Sequence, residues 1–429
     1  MNVGFWDDRE ANADNIRLYV RSEGWKQSAD KRHGEDEHDI ERGAARAIDE
    51  ALTASLNASH LILLTGAGSS MCALNAGAGA KQAPGMQTLW DRVVSAEPAG
   101  SIEAIKKAIP TAEAVTTDRN IEKLLTLCKM HAELFGPHGT SNIGRFITVA
   151  EQTIADCVDF VTEETDLDSH KMIIRKLARR GARKARVRIF TTNYDLCFEY
   201  AARALRFTAI DGFSHSIPQV YDRGHFSHDI VRRESGGEGP DYIENVFHLH
   251  KLHGSIDWRR RDGELIRSKD PEDGTATLIY PRDSKYQEAF EPPYLDMMSA
   301  LQNALRVPDT TLIVSGFGFR DDHISKPILA ALEANMSLRL VVCDVAFLAD
   351  ADLNKGDHTL PGRALAQTGI SDVFTRLRRL CDIGDQRITL LNGRFSDLAQ
   401  ALPDLVAQTE RERHAERVRI LHAAPIGAP

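Results

Sequence analysis

The chain has 429 residues, of which 42% are apolar, and its 62 acidic and 53 basic residues give a formal net charge of −9. This composition is typical of a globular protein, and the acidic balance argues against general binding to nucleic-acid phosphates. No segment approaches the roughly 18 apolar residues that a membrane helix requires, and the first residues lack the apolar core of a secretory signal. We therefore expect a cytoplasmic protein without direct nucleic-acid binding.

Residues 1–37 are polar and charged and predict an N-terminal arm, either partly disordered or docked on a neighbouring subunit. From Asp39 to Leu56 the apolar residues have helical spacing. A short apolar strand, Leu61 to Leu64, then ends at a glycine-rich turn. Helix, strand and glycine-rich turn in this order indicate the start of an open α/β sheet.

Residues from about 100 to 185 show amphipathic helical patterns without a β-rich run, which predicts a helical insertion. It ends in the basic stretch Arg179 to Arg186, which is typical of a solvated helix surface; contact with a phosphate or a partner is the alternative. Strand-like runs follow at 187–190, 245–251, 310–314 and 338–343, with a polar hairpin or surface excursion at 257–283 between the second and the third.

This alternation predicts a doubly wound, mostly parallel, Rossmann-like α/β sheet. We expect it to occupy residues 38–395, with the insertion at about 100–185 and a C-terminal helical extension at 396–429. The six cysteines lie far apart, and none belongs to a C-x-x-C pair. Neither a four-cysteine zinc site nor a disulfide framework is expected.

Two polar motifs follow the first two long strands. Thr65-Gly66-Ala67-Gly68-Ser69-Ser70 can approach a pyrophosphate closely, although Met71 stands where the dinucleotide fingerprint needs a third glycine. A tight turn without a ligand is the alternative. In Thr191-Thr192-Asn193-Tyr194-Asp195, the asparagine can orient a water or a ribose hydroxyl, and the aspartate can accept from hydroxyls. The alternative is that both simply cap the next helix.

Two further motifs complete the series. In the run from His248 to Ser255, His253 lies at a strand end and is the best candidate for a general base. A metal site is the alternative for H-x-H-x-x-H, but no carboxylate cluster lies nearby in the sequence. The run from Ser315 to His323 can close over a nucleotide or only turn the chain, and no G-x-S-x-G motif of a serine hydrolase is present.

The order G-A-G-x-S, T-x-N-Y-D, L-H-G-S and S-G-x-G-F, each after a strand, resembles the sirtuin family over roughly residues 58 to 345. The likeness is greatest to bacterial sirtuin-like NAD hydrolases of antiphage defence. The insertion and the C-terminal extension look most like the sirtuin-like subunit that accompanies a HerA-type hexameric ATPase. The resemblance thus implies NAD as substrate, a homo-oligomer, and an ATPase partner.

Carried over by residue, the resemblance places one loop around the pyrophosphate and ribose: Gly66, Ala67, Gly68 and Ser69. It places a second group around the nicotinamide-side ribose: Thr192, Asn193 and Asp195. His253 matches the catalytic histidine, and Asn193 is expected to position water. Gly316 and Phe317 match a second nucleotide-contacting loop, and Asp344 is a contact near the adenine.

Two departures narrow the expected activity. The cysteines that hold zinc in deacetylating sirtuins are absent between Gly254 and Pro281, so no zinc is expected. The acidic and arginine-bearing segment that sirtuins have after the first glycine loop is not recognisable in this sequence either. We therefore expect a gated hydrolase that cleaves the nicotinamide–ribose bond to give nicotinamide and ADP-ribose. A protein deacylase and a non-catalytic NAD or ADP-ribose sensor are the alternatives.

Overall fold

The computed structural model describes residues 4–7, 9–32, 40–77, 79–135, 142–178, 180, 184–232, 241–278, 292–360, 371–404 and 417–418. Its strands, in chain order, are β1 (Arg17–Val20), β2 (Gly24–Gln27), β3 (Lys31–Arg32), β4 (Ile40–Glu41), β5 (His60–Thr65), β6 (Arg188–Thr191), β7 (Thr208–Ile210), β8 (Val231–Arg232), β9 (Asp241–Tyr242), β10 (Val246–Lys251), β11 (Gly254–Arg261), β12 (Glu264–Arg267), β13 (Thr275–Leu278), β14 (Thr310–Ser315), β15 (Arg339–Cys343), β16 (Thr359–Leu360) and β17 (Ile388–Asn392).

The helices are α1 (Ala45–Asn57), α2 (Ala67–Ser70), α3 (Met86–Ala96), α4 (Ser101–Ala108), α5 (Ala112–Thr117), α6 (Ile121–Phe135), α7 (Asn142–Val158), α8 (Asp168–Ala178), α9 (Cys197–Leu205), α10 (Tyr294–Arg306), α11 (Asp322–Ala334), α12 (Asp350–Leu353), α13 (Asp372–Asp382) and α14 (Phe395–Ala401). Among the helices described, none is long and apolar enough to cross a membrane.

The central sheet has ten strands in the order β16-β2-β1-β17-β15-β14-β5-β6-β10-β7. From β17 to β7 every neighbouring pair is parallel, whereas β1, β2 and β16 add an antiparallel edge. The parallel strands are almost continuous apolar runs because both faces of the sheet are covered. The predicted doubly wound, mostly parallel α/β fold is confirmed.

Helices cover the two faces of this sheet. Side chains of α10, α11 and α13 pack with one set of strand residues, which includes Leu64 and Val314. Side chains of α1, α8, α9 and α14 pack with the alternate set, which includes Leu63 and Ile313. Successive residues of a strand point to opposite faces, so each strand feeds both cores.

The helical insertion forms a third core. Between β5 and β6 the described residues form helices but no strand, in agreement with the predicted insertion. Apolar residues of α3 to α7 pack together. Tyr194 and Leu196, which follow β6, and Ile256 of β11 join this core. The insertion is therefore packed against the segment that follows β6.

The N-terminal segment differs from the expectation of an arm. β1 pairs with β17 and with β2, so residues 17–27 belong to the central sheet. Arg17 and Trp25 are 2% and 1% exposed. Burial of the Trp25 ring, which the short strand sequences did not reveal, explains why this segment is ordered.

The described part of the basic stretch has a structural role. Lys184 Nζ donates to Asn57 O at 2.7 Å, and Arg180 donates to Ala58 O, both at the carboxyl end of α1. Arg186 pairs with Asp229 at 2.9 Å. Cationic groups satisfy the free carbonyls of a helix end. Arg179 and residues 181–183 lie outside the described residues.

The two remaining predictions concern the polar excursion and the C-terminus. β11 pairs antiparallel with β12 and β13, which confirms a hairpin in the excursion. α14, with which the predicted C-terminal extension begins, packs beside α8 in the core on one face of the sheet. Most of the predicted extension, 405–416 and 419–429, lies outside the described residues.

Candidate active site

The carboxyl ends of four parallel strands meet where the chain changes direction across the sheet. β5 lies between β6 and β14. The chain places β6 on one side of β5 directly after the helical insertion, and it places β14 on the other side much later. In open α/β sheets, ligands bind outside the carboxyl ends of strands at such a switch point. The four predicted motifs follow β5, β6, β10 and β14, so the structure brings them to one edge.

The first and fourth motifs are in direct contact. Gly68 N donates to Gly316 O at 3.0 Å. A Cβ atom at Gly68 would lie 2.7 Å from Gly316 Cα, and one at Gly66 would lie 2.9 Å from Gly316 O. The two glycine loops therefore pack backbone against backbone, which side chains at these positions would prevent. Phe317 is 3% exposed, so its ring is part of the core beneath this contact.

Asn193 is held from below by the first loop. Its Nδ2 donates to Gly66 O at 3.0 Å, Ser69 Oγ at 3.1 Å and Ser70 Oγ at 2.7 Å. A carbonyl acceptor requires a donor, so these contacts define which side-chain atom is the nitrogen. Among the described residues, nothing donates to the side-chain oxygen of Asn193, which is the atom that can orient a water.

Asp195 joins the same network. Its Oδ2 accepts from Ser70 Oγ at 2.6 Å, and its Oδ1 accepts from Cys197 N at 3.1 Å. The aspartate thus accepts from the first residue of α9, whose N-cap position is held by Leu196, and also contacts the first glycine loop. Thr192 continues β6 by donating its N–H to Thr65 O at 3.1 Å.

Lys251 supports this segment from beneath and was not singled out by the sequence analysis. Its side chain is buried, and Nζ donates to Tyr194 O at 3.3 Å, to Asp195 O, and to Glu199 Oε1 at 3.0 Å. Burial raises the pKa of Glu199, and the positive charge of Lys251 counteracts this rise. A buried ammonium needs such partners, so Lys251 fixes the backbone that carries Asn193 and Asp195.

His253 follows β10 and is 3% exposed. Its Nε2 lies 3.2 Å from Nε2 of His323, and its ring centroid lies 6.3 Å from that of Tyr194. Burial lowers the pKa of His253 to about 3. The imidazole is therefore neutral at pH 7 and carries no proton that would exclude it as an acceptor. The partner His323 was missed because the two residues are 70 positions apart.

The helical insertion contributes Glu122 to this edge. Its Oε1 accepts from Tyr194 Oη at 3.3 Å. Burial, together with the charge of Asp321, raises the pKa of Glu122 to about 7. Nothing in the sequence of α6 distinguishes Glu122 from the surface carboxylates of the same insertion, because the contact depends on how α6 packs.

Asp344 and the other two histidines of the third motif have structural contacts. Asp344 follows β15, its side chain accepts from Ala346 N at 2.8 Å, and burial raises its pKa to about 6. His250 stacks between Phe190 and Phe226 at ring-centroid distances of 4.4 and 4.0 Å, and His248 lies 6.2 Å from it. In the described part of the chain, no three His, Cys, Asp or Glu side chains are grouped to hold a metal ion.

Comparison with known proteins gives one family match. Residues 187–359 match the model of the SIR2-like domain, a stretch that begins at β6 and ends in β16. No curated protein matches the chain.

Three solved structures are similar at low identity. An ADP ribose complex of a Sir2 homologue mutant is 14% identical, over 87% of this chain and 98% of that chain, with a TM-score of 0.36. A structure described as the basis for the mechanism and regulation of Sir2 enzymes is 14% identical, over 87% and 99%, with a TM-score of 0.32. An ADP ribose complex of another mutant is 13% identical, over 87% and 98%, with a TM-score of 0.37. The family match shows that residues 187–359, with Asn193 and His253 among them, are similar to the SIR2-like domain.

Proposed function

We propose that this protein binds NAD and hydrolyses its nicotinamide–ribose bond, giving nicotinamide and ADP-ribose. The observation that supports the proposal most is the convergence of Asn193, Asp195 and His253 beside two glycine loops at one sheet edge. The SIR2-like match over 187–359 includes three of the four motifs and leaves out only the first glycine loop. Closely packed glycine backbones suit a pyrophosphate, and the polar side chains beside them suit a ribose.

The reaction makes modest demands on the residues present. Nicotinamide leaves as a neutral molecule from a cationic ring, so no acid is needed at the leaving group, unlike in glycosidases with paired carboxylates. The fixed side-chain oxygen of Asn193 would orient water toward the anomeric carbon. The neutral imidazole of His253 would accept a proton from that water or from a ribose hydroxyl.

Chromatography of nicotinamide and ADP-ribose after incubation with NAD tests the proposal. We expect Asn193→Ala and His253→Ala to lower turnover by about 10²–10⁴-fold, the usual effect of losing a positioned general base or its equivalent. Asn354→Ala and His228→Ala, which change exposed residues, serve as matched controls. Near-normal turnover in both site variants would refute these roles.

Assays on the same purified protein distinguish the hydrolase from two rival functions. An acetylated-peptide assay detects a deacylase, against which the missing zinc cysteines argue. Tight ADP-ribose binding without nicotinamide release, measured by calorimetry with and without a hexameric ATPase, would favour a sensor and contradict the hydrolase.

We also propose that the activity is gated, as an effector of antiphage defence that depletes NAD would require. An unrestrained NAD hydrolase would poison its own cell. The contact from Glu122 of the insertion to Tyr194 offers a connection between that region and the catalytic edge. Self-assembly or a HerA-type ATPase partner would act through it. Light scattering combined with the nicotinamide assay tests this: a fully active, monodisperse monomer would contradict it.

A further inference from the structure

The two histidines at the catalytic edge share one hydrogen bond. Nε2 of His253 lies 3.2 Å from Nε2 of His323, and the ring centroids are 5.4 Å apart. Two neutral imidazoles at this distance need one proton between them, so that one ring donates and the other accepts. The tautomers of the two rings are therefore coupled. Because this contact uses Nε2 of His253, Nδ1 is the nitrogen that can accept a proton from the reacting oxygen.

We propose that His323 is a positioning residue for His253, fixing its tautomer and taking over the proton that it accepts. This inference rests on the proposed hydrolysis of NAD. In the step, an O–H bond of water breaks, and its proton binds Nδ1 of His253. The Nε2 proton of His253 passes to Nε2 of His323. The electron pair of the oxygen forms the bond to the anomeric carbon. The bond from that carbon to the nicotinamide nitrogen breaks, and its electron pair leaves with neutral nicotinamide.

His323 is better placed than His253 to hold the resulting charge. His253 is buried, whereas His323 is partly exposed in the first turn of α11. An imidazolium is less costly where water can reach it. Asp321 and Asp322 precede His323 directly in the chain and add negative charge beside it.

The other elements around His323 bring groups of both signs. Asp322 pairs with Lys326 at 2.8 Å on α11 itself. From α6 come Glu122 and Lys123, which act electrostatically on Asp321 and Asp322. From α10 comes Tyr294, whose ring centroid lies 6.1 Å from that of His323 and whose pKa is raised by burial. Glu122, whose pKa is about 7, is only partly ionised, so the charges that favour an added proton on His323 are those of Asp321 and Asp322.

Histidine NMR on the nucleotide-free protein tests the coupling without any turnover. In a long-range ¹H–¹⁵N spectrum of histidine-labelled protein, we expect His253 protonated at Nε2 and His323 unprotonated there. His323→Gln should change the His253 signals, whereas His215→Gln, in an exposed loop, should not. His253 protonated at Nδ1 alone in the wild type, or unchanged in His323→Gln, would overturn the proposal.

The pH dependence of kcat tests the proton transfer. Glutamine can still hydrogen-bond to His253 but cannot take up a proton. We expect His323→Gln to lower kcat by about 10–100-fold, less than loss of the base itself, and to shift the acid limb of the profile. KM should change less than about twofold, because His253 rather than His323 faces the substrate.

The outcomes separate the two proposals. An unchanged acid limb and a kcat within twofold of the wild type in His323→Gln would overturn the role of His323. If the wild type releases no nicotinamide under any condition, the hydrolase proposal fails, while the NMR result still decides whether the two histidines are coupled. His215→Gln should match the wild type in both measurements.

Discussion

Gly316 has a left-handed backbone conformation, with φ of +67°, and contacts the first glycine loop. A Cβ atom here would lie 2.5 Å from Ser69 N, so the two loops would have to separate. Gly356 has nearly the same conformation, with φ of +70°, but nothing lies within 4 Å of its Cβ position. The two positions therefore separate backbone strain from close packing.

We expect Gly356→Ala to cost about 1–2 kcal/mol, the strain of the left-handed conformation alone. Gly316→Ala should cost a further ~1–3 kcal/mol for overpacking and should also abolish ADP-ribose binding. Urea unfolding and calorimetric titration measure the two effects. Equal stability losses in the two variants, with binding intact in Gly316→Ala, would show that the loops are not closely packed.

At this scale the sequence predicted which segments meet at the candidate site but not all of the residues that lie there. Asn193, Asp195 and His253 each follow a buried strand, and parallel strands end at a common edge, so their proximity was predictable. The hydrogen bond between His253 and His323 was not, because the packing of α11 against the turn after β10 determines it. Lys251 ends β10 beside the histidines of the third motif, and no local pattern indicates that its ammonium group is buried.

Among the elements, the antiparallel strands β1 and β2 extend the central sheet beyond its parallel strands. The Trp25 ring lies 5.0 Å from that of Phe347 and 5.2 Å from that of Tyr19, and Trp25 is 1% exposed. Trp6 is only partly buried. If the N-terminal segment were a mobile arm, neither ring would matter to the free energy of unfolding.

We expect Trp25→Ala to lower the free energy of unfolding by about 3–5 kcal/mol, as for other fully buried aromatic side chains. Trp6→Ala, the matched control, should cost clearly less. Chemical denaturation followed by circular dichroism measures both. A loss below 1 kcal/mol for Trp25→Ala would mean that β1 and β2 are not part of the cooperative unit.

The strands themselves differed in how well the sequence predicted them. The parallel strands β5, β14 and β15 are mostly apolar runs next to glycine or polar turns, which is the usual pattern of strands covered on both faces. β1 and β2 are four residues each and contain Arg17 and Lys26. The pairing of β1 with β17 joins opposite ends of the chain, and no local pattern encodes such a contact.

Over the whole molecule, buried histidines make the folded state sensitive to acid. Burial lowers the pKa of His170 and His248 to about 4 and that of His253 to about 3, and it lowers the pKa of His250 well below its usual range. In the unfolded chain each would titrate near pH 6.5. The formal net charge counts histidines as neutral, so composition does not reveal this property.

The sign of the effect follows from proton binding. Between pH 6.5 and pH 4 the unfolded chain binds protons that the folded chain excludes, so the free energy of unfolding falls as the pH falls. For one histidine the slope approaches about 1.4 kcal/mol per pH unit. Above pH 6.5 the same groups are neutral in both states and contribute no pH dependence.

His170 isolates one such contribution. Both of its ring nitrogens are buried without a hydrogen-bond partner among the described residues, and its ring packs against Phe198 and Phe395. His170→Phe keeps the aromatic contacts and removes the group that titrates. We expect its stability advantage over the wild type to grow by about 2 kcal/mol between pH 7 and pH 5. His215→Gln, an exposed control, should leave the pH dependence unchanged. Urea unfolding at the two pH values measures it, and a difference that is equal at both would mean that His170 titrates in the folded protein as it does in the unfolded chain.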